Sequence, residues 1–239
     1  MARKRLILDG SVSTEPRILA NLVIDTSASM FASRAIEAVT AGLHQYRADI
    51  LKESLLVRKL AQAVVTFSGS PQVLYPYGTV KDWSPPESLE WGSGTALGTA
   101  LLEALRLQAE YIDVLSAEGV ALHHALMFLI TDGEPTGEPR DRVPEAARVI
   151  AETEKNLPFS FFPVGVEGAN IDLLQTLTPK RVPLRLCEVA DFAKFFRWLY
   201  NSLVPISRSQ PGDRIQLPNP MNQPGNPFGW AVLGPPKPE

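Results

Sequence analysis

The sequence predicts an α/β domain built on a mainly parallel central sheet, with helices on both faces and one short antiparallel edge strand. Three observations carry this reading. Short apolar runs alternate regularly with longer stretches of helical periodicity, the pattern of successive β-α-β units. The apolar runs are mostly continuous, as expected of strands covered on both faces. Polar clusters follow three of the strands or open the helix after them, where an open parallel sheet places its ligands.

Taken in order, residues 19–24 (Leu-Ala-Asn-Leu-Val-Ile) make the first strand. Residues 35–51 set Ile36, Val39, Leu43, Tyr46, Ile50 and Leu51 at helical spacing. Residues 62–67 form a second strand, and residues 72–75 a short edge strand bracketed by Pro71 and Pro76. A strong helix covers 96–115, with Leu97, Leu101, Leu105 and Ile112 on one side. Residues 125–131 are the most hydrophobic run and a central strand, with His123 and His124 at its start. The helix over 143–156 carries Pro144 near its first turn, where proline loses no helical bond. A strand over 159–166, a short helix over 171–177 and a last strand over 182–186 follow. Asp191 is expected to cap a final helix ending at Val204, with Phe192, Phe195, Phe196 and Leu199 buried.

The regular pattern stops at Pro205, which divides the chain into an amino-terminal segment (1–16), a domain (17–204) and a proline-rich, extended tail (205–239). The tail holds nine of the 21 prolines and shows no helical or strand periodicity. It also contains Ile215, Leu217, Met221, Phe228, Trp230, Val232 and Leu233, too many apolar residues for a solvated linker. It is therefore expected to pack in part on the domain or on a partner, with Trp230 and at least one of Ile215 and Leu217 substantially buried. A disordered tail is the alternative.

The 239 residues suffice for one large domain with an extension, and 45% hydrophobic with 21% charged residues is ordinary globular composition. A net charge of -3 speaks against a nucleic-acid binder, and Lys180, Arg181 and Arg185 are too few for a basic patch. A single cysteine, Cys187, excludes a disulfide within the chain and points to a reducing compartment. Arg3, Lys4 and Arg5 are followed by only three apolar residues before Asp9, too few for a signal peptide, and no run is long enough to span a membrane. The expected location is the cytoplasm.

Three polar clusters stand out: Asp25-Thr26-Ser27-Ala28-Ser29 after the first strand, Trp91-Gly92-Ser93-Gly94-Thr95 before the second long helix, and Thr131-Asp132-Gly133 after the central strand. Together they offer carboxylates from Asp25 and Asp132 and hydroxyls from Ser27, Ser29 and Thr95. Oxygen donors of mixed charge suit Mg²⁺, Ca²⁺ or Mn²⁺ rather than zinc. Ser27 and Ser29, two apart in a loop, can turn both hydroxyls toward one point beside Asp25. With only two carboxylates, water or an incoming ligand must fill the remaining positions.

This constellation resembles the metal-ion-dependent adhesion site of von Willebrand factor type A domains, in the expected chain order over roughly residues 17–204. The resemblance implies a Rossmann-like domain holding Mg²⁺, with Mn²⁺ or Ca²⁺ as alternatives. It further implies that Ser27, Ser29 and Thr95 coordinate directly or through water, and that Asp25 and Asp132 act largely through water. A partner's Asp or Glu would complete the shell. Ala28 stands where the family often has Gly, at a position that is not a ligand. More narrowly, Gly94-Thr95-Ala96-Leu97-Gly98, Thr131-Asp132-Gly133-Glu134-Pro135-Thr136, Phe195-Phe196-Arg197-Trp198-Leu199 and Ser207-Arg208-Ser209-Gln210-Pro211-Gly212 resemble the bacterial TerY group. These are small cytoplasmic von Willebrand A proteins associated with tellurium resistance and stress response, which often accompany a protein kinase and a metal-dependent protein phosphatase.

Competing readings of the same residues are weaker. Gly92-x-Gly94-x-x-x-Gly98 has one residue too many for a dinucleotide loop, and Gly98 is read as permitting close helix packing. Ser27 stands where a phosphoryl-accepting aspartate at position 25 would want a second carboxylate. His123 and His124 are adjacent and point to opposite faces of a strand, so they cannot share one zinc ion. His44 has no second ligand at suitable spacing, and Cys187 reads as a core residue. The leading expectation is a non-enzymatic module that binds an acidic side chain of another protein, a kinase or phosphatase of the same system, through the bound ion. The alternatives are a metal-dependent phosphohydrolase at the same site and a scaffold acting mainly through its tail.

Overall fold

The computed structural model describes residues 15–188, 190–217 and 231–233, the last three by their backbone alone. Nearly all of the amino-terminal segment, and Met221, Phe228 and Trp230 of the tail, lie outside the described residues. Six strands form one sheet: β1 (Arg17–Asp25), β2 (Leu60–Phe67), β3 (Pro71–Thr79), β4 (Leu122–Thr131), β5 (Phe159–Gly165) and β6 (Leu184–Arg185). Their order is β3-β2-β1-β4-β5-β6, with every pairing parallel except that of β3 with β2. The helices are α1 (Ala28–Ala32), α2 (Ala35–Ile50), α3 (Ser54–Lys59), α4 (Leu97–Ala117), α5 (Arg142–Asn156), α6 (Ile171–Leu177) and α7 (Asp191–Arg208).

Each face of the sheet carries its own core. Ile18, Ala20, Leu22 and Ile24 of β1 pack with α2 and α7, whereas Leu19 and Val23 point into the layer of α4, α5 and α6. The aromatic residues of α7 belong to the first layer: Phe128 stacks on Phe162 at 5.0 Å, and Trp198 meets Phe128 edge-on at 6.1 Å. Because β2 lies on one side of β1 and β4 on the other, the crossover direction reverses between β1 and β4. That reversal opens a crevice beyond the carboxyl ends of these two strands.

Several elements depart from the expectations. The edge strand is longer than residues 72–75, because two bulges in its pairing with β2 take up extra residues, and Pro76 falls in one of them. Helices α1 and α3 are too short to show a periodic signal, and Ser29 therefore lies in the first turn of α1 rather than in a loop. Helix α2 ends at Ile50, which leaves Leu51 exposed. β6 shrinks to two residues, so Cys187 lies past its end and is exposed, not part of the core. The Asp191 carboxylate does not cap α7 but accepts bonds from Cys187 and Glu188 N–H in the turn before it.

Helix α7 runs through Pro205 to Arg208, because Pro205 sits on the exposed side while Leu203 and Ile206 continue the buried stripe. Beyond it, β7 (Ile215–Leu217) pairs antiparallel with β8 (Ala231–Leu233), so the tail does contain strand structure. Ile215 and Leu217 are buried in the same core layer as α7. The expected burial of at least one of Ile215 and Leu217 is met by both, which add to the domain's core, while Trp230 lies outside the described residues.

Candidate metal centre

The crevice between β1 and β4 gathers the polar clusters. Asp25, at the end of β1, is fully buried and has both carboxylate oxygens occupied. Oδ1 accepts the Ser27 N–H at 2.8 Å and Oδ2 accepts the Thr131 hydroxyl at 2.5 Å. Burial pushes the Asp25 carboxyl up, the bonds from Thr131 and Ser27 pull it back, and the charge of Asp132 raises it further. Thr26 ties this loop to the end of β2, since both its N–H and its hydroxyl donate to the Phe67 carbonyl.

Ser27 occupies the N-cap position of α1, yet its side chain makes no capping bond. Its Oγ instead lies 3.1 Å from Ser29 Oγ, and Ser29 Oγ donates to Asp132 Oδ1 at 2.9 Å. The result is a chain of three side-chain oxygens that begins buried at Ser27 and reaches solvent at Ser29. Burial also raises the Asp132 carboxyl, opposed by the bond from Ser29 and by its own backbone N–H.

Thr95 is buried and held by a two-way backbone pairing with Thr136, at 3.1 and 2.9 Å. A Cβ placed on Gly133 would stand 3.6 Å from Thr95 Oγ1 and 3.8 Å from Asp25 Oδ2. Glycine at that position therefore keeps a cradle open between the Thr95 hydroxyl and the Asp25 carboxylate. All five expected residues line one crevice: Asp25, Ser27, Ser29 and Asp132 through a hydrogen-bonded chain, and Thr95 across the Gly133 gap.

Two supporting roles are not evident from the sequence, that of Thr131 within the third polar cluster and that of Glu138. Thr131 is the partner of Asp25 and also accepts the Gly133 N–H at 3.2 Å. Glu138 caps α4 from the loop after β4, accepting Gly98 N–H, Thr99 N–H and the Thr99 hydroxyl at 2.8–2.9 Å. Nothing local in the sequence announces a cap supplied from 40 residues away. Glu138 also takes the N-terminal amides that a dinucleotide's phosphate would need. His123 and His124 do point apart, to Ser209 and Ser160, with His123 the extra residue of a bulge against β1. His44 is exposed and contacts the Pro86 carbonyl.

The donor set fits a small hard cation. Adjacent ligand oxygens around an octahedral Mg²⁺ at about 2.1 Å lie roughly 3 Å apart. The 3.1 and 2.9 Å steps from Ser27 to Ser29 to Asp132 have that spacing. Among the described residues no three His, Cys, Asp or Glu side chains converge, so a cation here would rest on two carboxylates and three hydroxyls. That composition disfavours soft metals.

No protein-family model and no curated protein sequence matches the chain. Solved structures do match. A von Willebrand factor type A protein from Catenulispora acidiphila is 21% identical with a TM-score of 0.58, over 79% of this chain and 43% of its own. The von Willebrand domain of the type V pili tip protein Mfa5 from Porphyromonas gingivalis is 11% identical with a TM-score of 0.56, over 82% of this chain and 98% of its own. Proximal thread matrix protein 1 from the mussel byssus, in a form whose adhesion-site motif is occupied by zinc, is 15% identical with a TM-score of 0.50, over 80% and 49%. The chain spans less than half the length of the Catenulispora and mussel chains, but nearly the whole Mfa5 domain. The fold of this chain is that of von Willebrand factor type A domains.

Proposed function

We propose that the chain is a non-enzymatic protein-interaction module that binds an Asp or Glu of another protein through a divalent ion held by Asp25, Ser27, Ser29, Thr95 and Asp132. Mg²⁺ is the proposed ion, with Mn²⁺ or Ca²⁺ as substitutes. The observation that carries this reading is the oxygen chain from Ser27 through Ser29 to Asp132, buried at one end and open to solvent at the other. A bound ion would supply an electrophilic position toward solvent, since two carboxylates and three hydroxyls leave its coordination incomplete. The protein's own part is to hold these oxygens in place: Thr131 orients Asp25, and the Thr95–Thr136 pairing fixes the third loop.

The narrower likeness to the TerY group motivates a setting in a bacterial stress-response or tellurium-resistance system. A kinase or phosphatase of that system is the proposed partner, and the cytoplasm the proposed location. Calorimetric titration with Mg²⁺ tests the site. A saturable heat in the unaltered chain should vanish in Asp25→Ala and Ser29→Ala variants whose circular dichroism is unchanged. Unchanged affinity in both variants would overturn the assignment.

A further inference from the structure

None of the five site residues lies on the turn between β2 and β3, yet that turn fastens two of the three loops that carry them. Phe67, the last residue of β2, accepts both the N–H and the hydroxyl of Thr26 on its carbonyl, at 2.7 and 3.1 Å. The next carbonyl, that of Ser68, accepts the Ala96 N–H at 2.6 Å. Gly92 N–H closes the circuit on the Thr26 carbonyl at 3.0 Å. Two consecutive carbonyls thus set the separation between the loop of Ser27 and Ser29 and the loop of Thr95.

The fit is backbone against backbone. A Cβ on Gly69 would stand 2.8 Å from the Ser93 carbonyl oxygen, and a Cβ on Gly94 would stand 3.1 Å from the Gly69 Cα. Residues 91–96 form neither helix nor strand of their own. Their position comes from Ser68 and Gly69 on one side and from the Thr95–Thr136 pairing on the other.

We infer that Gly69 is a positioning residue, whose turn places the Thr95 hydroxyl for a small octahedral ion and so favours Mg²⁺ over the larger Ca²⁺. This rests on the proposed function, in which Thr95 is a ligand. Mg²⁺ demands near-ideal geometry at about 2.1 Å, whereas Ca²⁺ accepts irregular shells at about 2.3–2.6 Å. Moving one hydroxyl by a few tenths of an ångström therefore penalises Mg²⁺ more, in whichever direction it moves. A general loosening of the domain would weaken both ions alike.

The test is calorimetric titration of the full chain with Mg²⁺ and, separately, with Ca²⁺. Gly69→Ala forces the Ser93 carbonyl aside and should lower Mg²⁺ affinity about tenfold, as loss of ligand orientation does, and Ca²⁺ affinity by less than about threefold. Gly119→Ala, with φ +71° and nothing within 4 Å of the added Cβ, is strained without touching the site and should leave both affinities unchanged. Should Gly69→Ala not fold, Gly92→Ala presses on the same turn more gently, because its Cβ meets the Ser68 side chain, 2.5 Å from Oγ. Its loss of Mg²⁺ affinity should be restored by adding Ser68→Gly. Mg²⁺ affinity within twofold of the unaltered chain in Gly69→Ala, equal losses for the two ions, or no rescue by Ser68→Gly would overturn the positioning role and leave the metal reading standing. Absence of Mg²⁺ binding by the unaltered chain would sink the proposed function, and this inference with it.

Discussion

Thr131 Oγ1 donates to Asp25 Oδ2 at 2.5 Å across the crevice between β1 and β4, joining residues 106 apart in the chain. The same oxygen accepts the Gly133 N–H, so one hydroxyl holds both the carboxylate and the glycine that borders the cradle. Thr131→Val keeps the shape and removes both bonds. One Asp25 oxygen is then buried without this partner, at a cost of about 1–3 kcal/mol. Support residues of this kind are worth about 10–100-fold in metal affinity. Chemical denaturation and Mg²⁺ calorimetry on the variant measure the two effects. An affinity within twofold of the unaltered chain would show that Thr131 does not orient the site.

Gly98 determines how closely α4 and α5 approach. A Cβ there would stand 2.5 Å from the backbone of both Arg142 and Val143, atoms that cannot turn aside. Gly98→Ala gains about 1 kcal/mol of helix propensity, but the forced separation of two helices outweighs it, for a net loss of about 1–3 kcal/mol. The melting temperature should fall by about 3–10 °C. Displacing α4 also moves Thr95, two residues before the helix, and strains the Glu138 cap, so Mg²⁺ affinity should fall as well. An equal or higher melting temperature would contradict the close packing.

Much of this architecture was legible because buried parallel strands read as unbroken apolar runs, as in β1 and β4, and because the donor residues sit where those strands end or where α4 begins. What escaped was short or long-range. Helix α3 spans six residues, fewer than two helical turns, and so shows no period. The bulges of β3 depend on its pairing with β2, which one strand's sequence does not display. Glu138 gives no sequence signal because its partners lie some 40 residues back in the chain. Cys187 was misread because residues 182–186 are apolar enough for a strand, while β6 pairs only at Leu184 and Arg185. Prolines on both sides hid the strand at Ile215–Leu217, whose burial comes from packing on α7 rather than from local pattern.

His124 gives the domain an acid limb of instability. Its ring is buried, with Nε2 3.1 Å from Ser160 Oγ. Burial, with smaller contributions from the positive charges of His123 and Arg181, brings its pKa down to about 3. Unfolded, the ring titrates near 6.5. The native state therefore holds it neutral while the unfolded chain protonates it. The associated stability is fully present above about pH 6.5 and is lost as pH falls toward 3, at roughly 1.4 kcal/mol per unit. His124→Gln stays neutral and can still bond Ser160. Between pH 7 and pH 5 the unaltered chain should lose about 2 kcal/mol more than this variant in urea unfolding. Parallel pH profiles would place the acid sensitivity elsewhere.

The start of the tail behaves as part of the domain. Leu217 is fully buried and Ile215 nearly so, both in the core layer of α7. The end of α7 is fastened beside them: Lys59 Nζ donates to the Ser207 carbonyl at 2.8 Å, and Arg208 pairs with Glu53 at 3.1 Å. His123 Nε2 lies 3.2 Å from the Ser209 carbonyl. The polar contacts at this end are partly exposed and individually weak, so burial of Leu217 should dominate. Leu217→Ala should cost about 2–5 kcal/mol, as truncation of a buried leucine does. Arg214→Ala, at an exposed position in the same segment, should cost less than about 0.5 kcal/mol. Urea unfolding of the full chain compares the two, and limited proteolysis shows where the effect acts. Unaltered protein should resist cutting between Arg208 and Leu217, whereas Leu217→Ala should be cut there rapidly. Equal stability of the two variants, with rapid cutting in both and in the unaltered chain, would mean that the segment contacts nothing lasting and that the domain's core ends with α7.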